Sequence, residues 1–579
     1  ARYQDFKKLF GSDEIIRVVI KSENIFEAAT FSKVTELSDA AAKIDGVRRV
    51  ISLPVIKKAV DIAGSWDLEK FQTVVSHIQL LRKNLISDDG KTTALTLVLK
   101  KDADQEKVIQ GVNDVIAGAG KNVSLYQIGM PLVSQALVRL TKKDFLHLPP
   151  LTFLVIGVIL IVFFRKVRYV FIPLTCVGLG LIWTFGLMAL VRIPLSMLTM
   201  IVPVFLIAVG TAYCLHIVSE YISCASKAES SVSASRETFS YIHLPTSLAV
   251  LTTIIGLGSL LVNRIPTIRE FAVFACFGML SILIVALTFL PAVLSLIPLP
   301  GKEEKKKTAQ LQPVKAIIER IIDWDLNHQK IVLPIIAIFT VFCLAGIFHL
   351  RVETNPVGYF KADTPVKRNF EDIYHVLSGS FPINVVVAHK EADYFEEPEN
   401  IAQVEKIQKF LETLPGVDKT VSFADYMKLV NYASNQFDPK YYILPEEGFE
   451  VRMVMNNYTG MLGQDMFDRF MNSDMSKINI VLLTHISSSS DFIELRRKIY
   501  DHAAQNFSKD LQWEVPGFGM SISASSERLT SGQIKSLSIT MVLVFGIMFM
   551  LFLSSKVGLI AIVPNLFPII INFGIMGWF

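Results

Sequence analysis

The chain has 579 residues, 51% of them hydrophobic, a mean hydropathy of +0.44 and a formal net charge of +4. That is too apolar for an ordinary soluble protein, and the small charge gives no case for a nucleic-acid partner. The ten histidines lack metal-ligand spacing, and Cys176, Cys214, Cys224, Cys276 and Cys343 all fall in or beside apolar runs. No metal, cofactor or disulfide framework is therefore expected.

Residues 1–145 read as a first soluble domain of alternating strands and helices. Ile15 to Ile20, Val47 to Leu53, Thr93 to Leu99 and Val123 to Ile128 are expected strands, and Ala28 to Ile44 and Asp104 to Ala117 expected helices. A transmembrane bundle of five helices follows over 146–300, at roughly 146–164, 169–190, 196–219, 243–262 and 270–297. Residues 301–329 are a linker in which apolar residues at 314, 317, 318, 321 and 322 predict an interfacial amphipathic helix. A sixth span at 330–349 leads into a second soluble domain over 350–534. Its expected strands are Ile383 to Ala388, Val417 to Phe423, Ile478 to Leu483 and Leu511 to Val515, and its helices 399–414 and 491–506. Two further spans, 535–553 and 558–579, close the sequence.

The basic loops Arg165-Lys166-Val167-Arg168, 222–240 with Lys227 and Arg236, Lys302 to Lys307, and Lys556 all fall on one side if each span crosses once. That side is expected to be cytoplasmic, which places 1–145 and 350–534 outside, in the periplasm of a cell whose inner membrane holds the spans. Arg192, Arg264 and Arg269 weaken the bias without reversing it.

The two halves say the same thing twice. Gln127-Ile128-Gly129-Met130 and Arg139-Leu140-Thr141 precede one apolar run, and Gly517-Phe518-Gly519-Met520 and Arg528-Leu529-Thr530 precede another. Tyr3, Asp5, Val18, Val19, Gly46, Val47 and Ser52 align with Phe370, Asp372, Val385, Val386, Gly416, Val417 and Ser422. The expected fold is a polytopic α-helical membrane protein with two α+β, ferredoxin-like (split βαβ) extracytoplasmic domains, helices on one face of each sheet, and an internal two-fold repeat. A stretch around 424–475, rich in Tyr, Asn, Met and Phe, is an extra insertion in the second copy; it reads as a plain surface elaboration, with a lid or partner-contact element as the alternative. The chain starts at Ala1 and stops inside an apolar run. It reads as a piece of a longer protein with twelve spans in a 6+6 arrangement.

No catalytic constellation stands out: there is no P-loop, His-Glu-x-x-His or Cys-x-x-Cys, so an enzyme is not expected and ATP is not the expected energy source. The informative span is the third, Val209-Gly210-Thr211-Ala212-Tyr213-Cys214-Leu215-His216-Ile217-Val218-Ser219-Glu220-Tyr221. Ionisable groups are costly in a bilayer and face bundle interiors or cavities. Tyr213, His216 and Glu220 recur at i, i+3 and i+7, so a phenol, an imidazole and a carboxylate share one face. They are proton-relay candidates, because His titrates near neutrality. The alternative is an interhelical hydrogen-bond cluster with Glu220 reaching cytoplasmic water.

That segment resembles the fourth transmembrane helix of the resistance-nodulation-division (RND) superfamily, in the branch of the mycobacterial large membrane proteins (MMPL). That branch reads Gly-Val-Asp-Tyr-x-x-His-x-x-x-Arg-Tyr there, and Gly210, Tyr213, His216 and Tyr221 match. Pro266-Thr267-Ile268-Arg269-Glu270-Phe271 with Leu290-Pro291-Ala292 resembles the sixth helix, and Pro564, Asn565 and Pro568 the start of the ninth. The resemblance implies that the soluble domains are porter domains of a proton-driven secondary transporter. It also implies, through the related sterol-sensing-domain proteins, a lipid-like or hydrophobic substrate, carried outward through a groove between those domains. The family's proton-carrying Asp falls at Ala212 and its Arg at Glu220, so the first half lacks the usual carrier. The soluble domains are too small for the funnel-docking elements of drug-efflux pumps. Expected partners are the membrane, the cargo and protons, with a homo-oligomer compatible. The alternatives are a non-transporting lipid- or sterol-sensing scaffold and an accessory subunit of protein translocation.

Overall fold

A computed structural model describes residues 2–11, 14–61, 64–119, 123–299, 312–350 and 352–579. The basic stretch 301–307 lies outside the described residues. The chain divides into two compact units, Ala1–Leu137 with Glu353–Ser526, and Val138–Val352 with Glu527–Phe579.

The first unit holds two four-stranded antiparallel sheets. In the first, β1 (Ile15–Lys21), β2 (Val47–Ile51), β3 (Thr92–Leu99) and β4 (Ser124–Ile128) lie in the order β2-β3-β1-β4. In the second, β5 (Phe381–Ala388), β6 (Val417–Val421), β7 (Lys477–Thr484) and β8 (Gln512–Glu514) lie in the order β6-β7-β5-β8. Each inner strand is a nearly continuous apolar run, buried along almost its whole length. Such a run marks a strand covered on both faces. The chain enters β2 through Gly46 and β6 through Gly416, both at positive φ (93° and 84°). A Cβ would press on Val108 at the first and Ile486 at the second, so glycine is required twice over.

One face of each sheet is covered by its own helices. Ile16, Val18, Ile20, Leu95 and Leu97 pack against Val34 and Leu37 of the helix Ala28–Ala42 and Val108 and Val112 of Gln105–Gly118. Ile383, Val385, Ile480 and Leu482 pack in the same way against Val404 and Ile407 of Pro398–Leu411 and Leu495 of Ser489–Asn506.

The opposite faces are not open, contrary to the expectation of helices on one face only. Val19, Ala94 and Ile128 of the first sheet are covered by Phe370, Ile373 and Leu377, from the helix Pro365–Val376 that leads into the second sheet and the residue after it. Reciprocally, Phe6 and Phe10 of the helix Arg2–Phe10, which leads into the first sheet, pack on Val386 of the second. Each domain thus lends its leading helix to the other. The first exchange is fixed by polar contacts at its rim. Lys21 Nζ lies 2.6 Å from Asp372 Oδ1, and the Tyr126 hydroxyl donates to Asp372 Oδ2. Burial alone would raise the Asp372 pKa, but these two partners outweigh it and hold the carboxyl below its usual range.

Between β2 and β3 the first domain inserts the helices Leu53–Val60 and Leu68–Ser76. Between β6 and β7 the second inserts Phe423–Ser434, Gly448–Leu462 and Gln464–Phe470. Ser52 and Ser422 cap the first helix of each insertion, accepting from Val55 N and Ala424 N. The expectation of a surface elaboration over 424–475 is corrected here. Met427, Val430, Tyr432, Val454, Tyr458 and Phe470 are buried, in one core that also takes Phe71, Val75 and Leu81 of the first domain. Trp66 meets Phe437 edge to face at 4.8 Å, and Leu80 N donates to the Tyr442 hydroxyl at 3.2 Å. Most of the aromatic residues of the stretch are its packing residues, while Tyr441 and Phe449 stay exposed.

Among the described residues eight helices are long and apolar enough to cross a membrane: Met130–Phe164, Val167–Leu190, Thr199–Ala225, Ser231–Val262, Pro266–Leu296, Gln329–Ile347, Arg528–Met550 and Gly558–Trp578. The first continues as one helix across the sequence boundary at residue 145, and the fourth begins twelve residues before the expected 243, because backbone hydrogen bonding runs on into polar residues. Cys176, Val177, Leu206, Ile217, Val250 and Ile282 knit four of the helices into a core. Gly210 and Gly180 face Ile282, and Gly278 faces Leu206, with no room for a Cβ. Gly574 and Gly577 let the last helix touch the backbone of Cys343 and Gly346. Outward faces carry Leu154, Val158, Ile159 and Leu190, more than half exposed, as a lipid-facing surface requires. The amphipathic segment forms a helix, Gln312–Asn327, with Ile318, Ile321, Ile322 and Trp324 exposed.

Phe370→Ala is expected to cost about 3–5 kcal/mol, the range for emptying a buried Phe site. Denaturant unfolding of the soluble unit, followed in the detergent-solubilised full chain, measures it. A cost below about 1 kcal/mol would mean the exchanged helix is not held by this face.

Candidate functional site

The polar span is the helix Val202–Ala225. Its inward face is Gly210, Thr211, Cys214, Ile217, Val218 and Tyr221, all buried. Ala212 and His216 lie on the exposed side, while Tyr213 and Glu220 are half-buried. The four expected residues therefore diverge. Tyr213 turns to the helix Ser231–Gly258, its hydroxyl 2.9 Å from Thr253 Oγ1 and 3.3 Å from the Ala249 carbonyl. Glu220 Oε1 accepts a weak contact from Cys224 Sγ at 3.8 Å. Among the described residues no hydrogen bond joins Tyr213, His216 and Glu220 to one another. The i, i+3, i+7 spacing puts them along one side of the helix, but a helix side is wide enough to present one member to a neighbour and another outward. Ala212 offers a methyl group one residue from Thr211, whose Oγ1 is buried without a hydrogen-bond partner.

A second polar centre escaped the sequence reading. Arg17 sits in the middle of the apolar strand β1 and is 1% exposed. Its Nη1 donates to the Ser378 carbonyl at 3.0 Å, to Ser378 Oγ at 3.3 Å and to the Gly379 carbonyl at 3.4 Å; its Nη2 donates to the Asn84 carbonyl. Nε is buried with no partner. Burial lowers the guanidinium pKa to about 10. Arg17 shares a cavity with Arg469, Thr96 and Tyr426, and an adjoining cavity is lined by Arg49, Ile56, Leu81 and Met461. Arg49 also donates to the Leu462 carbonyl at 2.9 Å, across the seam between the two domains. Tyr426 is buried there, and burial pushes its phenol up to about 12 against the lowering pull of Arg469. The signal was present in the sequence: Ile-Ile-Arg-Val-Val-Ile places one permanent charge in a strand with no solvent-facing side.

Tyr213→Phe is expected to destabilise the span packing by about 1 kcal/mol through the lost hydrogen bond. His216→Ala should stay within about 0.5 kcal/mol of the parent. Thermal unfolding in detergent separates the two, and equal losses would contradict the divergence of these side chains.

Residues 2–321, more than half of the chain, match the family model described as MMPL family. A protein of Methanocaldococcus jannaschii, MJ1562, whose name calls it a membrane protein, is 24% identical over 303 residues, covering 49% of this chain and 78% of that relative.

Proposed function

The chain belongs to the MMPL family of the RND superfamily, a multi-pass membrane protein group, and on that premise we propose that it is a secondary-active transporter that exports lipids or other hydrophobic molecules under a proton gradient. The observation that carries the reading is the pairing, in one family member, of eight apolar spans with two soluble domains that meet along an apolar, arginine-lined seam. The common strand order of the two sheets supports reading them as ferredoxin-like porter domains, copies within one internal repeat. They lie on the extracytoplasmic side of the cytoplasmic membrane in this reading. Cargo taken from the outer leaflet passes along the seam, which opens and closes as the helix bundle changes state. No catalytic chemistry is assigned to the chain.

Proton coupling within the described residues falls to His216 and Glu220, since Ala212 cannot carry a proton. His216 is exposed on the helix side that also carries Ala212, outside the packed core of the bundle. In proteoliposomes of the full-length protein, His216→Ala is expected to lower cargo-dependent proton flux by at least about tenfold, a barrier change of about 1.4 kcal/mol. Unchanged flux would remove His216 from the pathway. A specific observation favours one second reading, a non-transporting lipid-sensing scaffold: Ala212 replaces the family's carboxylate. That reading predicts lipid binding with no cargo flux in the parent protein under any imposed gradient.

A further inference from the structure

The seam between the two soluble domains concentrates positive charge against apolar walls. Arg17 and Arg469 line one cavity and Arg49 the one beside it, and the two share Ile51, Asn84, Leu85, Tyr426 and Met466. Among the described residues no Asp or Glu lines either. The acid next to Tyr426, Asp425, is committed elsewhere, accepting from Gln408 Nε2 at 2.6 Å and from Ser422 N at 2.9 Å as part of a helix cap.

A buried cation costs several kcal/mol unless its charge is matched. Around Arg17 the match is incomplete: three backbone carbonyls and one hydroxyl take the Nη hydrogens, no carboxylate is bonded, and Nε has no partner. Carbonyl dipoles orient a guanidinium but do not neutralise it. An anionic oxygen group would do so, and guanidinium forks suit carboxylate and phosphate alike. The adjoining cavity supplies what an ion alone would not need, walls of Val55, Ile56, Val60, Leu81 and Met461.

We infer that this seam binds an anionic amphiphile, with a carboxylate or phosphate head between Arg17, Arg469 and Tyr426 and an apolar chain along Ile56, Leu81 and Met461. The inference rests on the transporter reading, and it names the chemical class of the cargo. The cavities measure about 50 Å³ and 70 Å³. Small-molecule sites run to roughly 300–1,000 Å³, so occupancy requires the seam to part. Met461 and Met466, unbranched and adaptable, stand where the walls have to move.

The test is equilibrium binding to the full-length protein in phosphatidylcholine nanodiscs, with empty nanodiscs as the partitioning reference. The probes are dodecyl phosphate, dodecanoate, dodecanol, dodecyltrimethylammonium and inorganic phosphate. Dodecyl phosphate and dodecanoate are expected to bind at least about tenfold tighter than dodecanol and dodecyltrimethylammonium. Arg469→Gln should erase most of that preference while leaving dodecanol unchanged, and Met461→Trp should weaken every chain-bearing probe. Arg17 is unsuitable as the first variant, because its contacts with Ser378 and Gly379 also join the two domains. Equal binding of dodecanol, or an anion preference that survives both Arg469→Gln and Arg49→Gln, would overturn the inference. So would inorganic phosphate binding as tightly as dodecyl phosphate, which would make this a free-anion site. Anionic binding without transport would overturn the transporter reading and leave this inference standing. Transport of a neutral amphiphile with no anionic preference would do the reverse.

Discussion

Two small sheets with apolar residues on both faces cannot exist side by side in water unless each borrows a cover. An α+β domain with two helices hides one face; the other would expose Val19, Ala94 and Ile128 in one sheet and Val386 in the other. The exchange of leading helices removes that exposure, and much of what else is seen in the soluble unit follows from it. The inner strands can be mostly apolar because both faces are dry. The helix Pro365–Val376 can carry Phe370 and Ile373 because they land on a sheet, and Asp372 can be held ionised because Lys21 and Tyr126 wait at the rim. Neither domain is complete by itself.

Interlocking also sets where the unit can yield. The exchanged helices and the sheet cores are packed with branched and aromatic side chains at near-zero exposure. The seam beside the inserted helices is different: it contains small voids, methionines, three arginines and, among the described residues, no lining carboxylate. Its rim is held by exposed pairs such as Arg48 with Asp465, which are weak in water. The proposed transport would need a rigid frame and a compliant joint, and those two requirements fall on different residues of the same unit. In the membrane unit the same division recurs. Gly180, Gly210 and Gly278 lock three helices together, while the side of Val202–Ala225 that bears Ala212 and His216 is left exposed among the described residues.

The strands were largely legible because their runs are mostly apolar and β-branched, Arg17 apart: expected Ile15 to Ile20 and Thr93 to Leu99 differ from the observed elements by one residue each. Apolar windows located all eight spans, and missed the polar starts at Met130 and Ser231, where helix continues outside the greasy segment. The helices Leu53–Val60 and Leu68–Ser76 were missed although Ser52 with Pro54, and Asp67, are ordinary helix-start residues. What no local pattern carries is which sheet an amphipathic helix will cover, so Phe6 and Phe370 gave no sign of their destination. The same limit applies to the site. Spacing grouped Tyr213, His216 and Glu220, but their partners depend on neighbouring helices, whereas Arg17 was identifiable as misplaced and its companions Arg49 and Arg469 were not.

In the proposed transporter the seam opens while the exchanged helices stay docked. Arg48 and Asp465 face each other across it, and all five native cysteines lie in the membrane unit, so Arg48→Cys with Asp465→Cys gives one addressable pair in the soluble unit. A short thiol-cleavable crosslinker between them should leave the protein folded, stop cargo transport in proteoliposomes, and release it again on reduction. Full transport by the crosslinked protein would show that cargo does not pass through this seam.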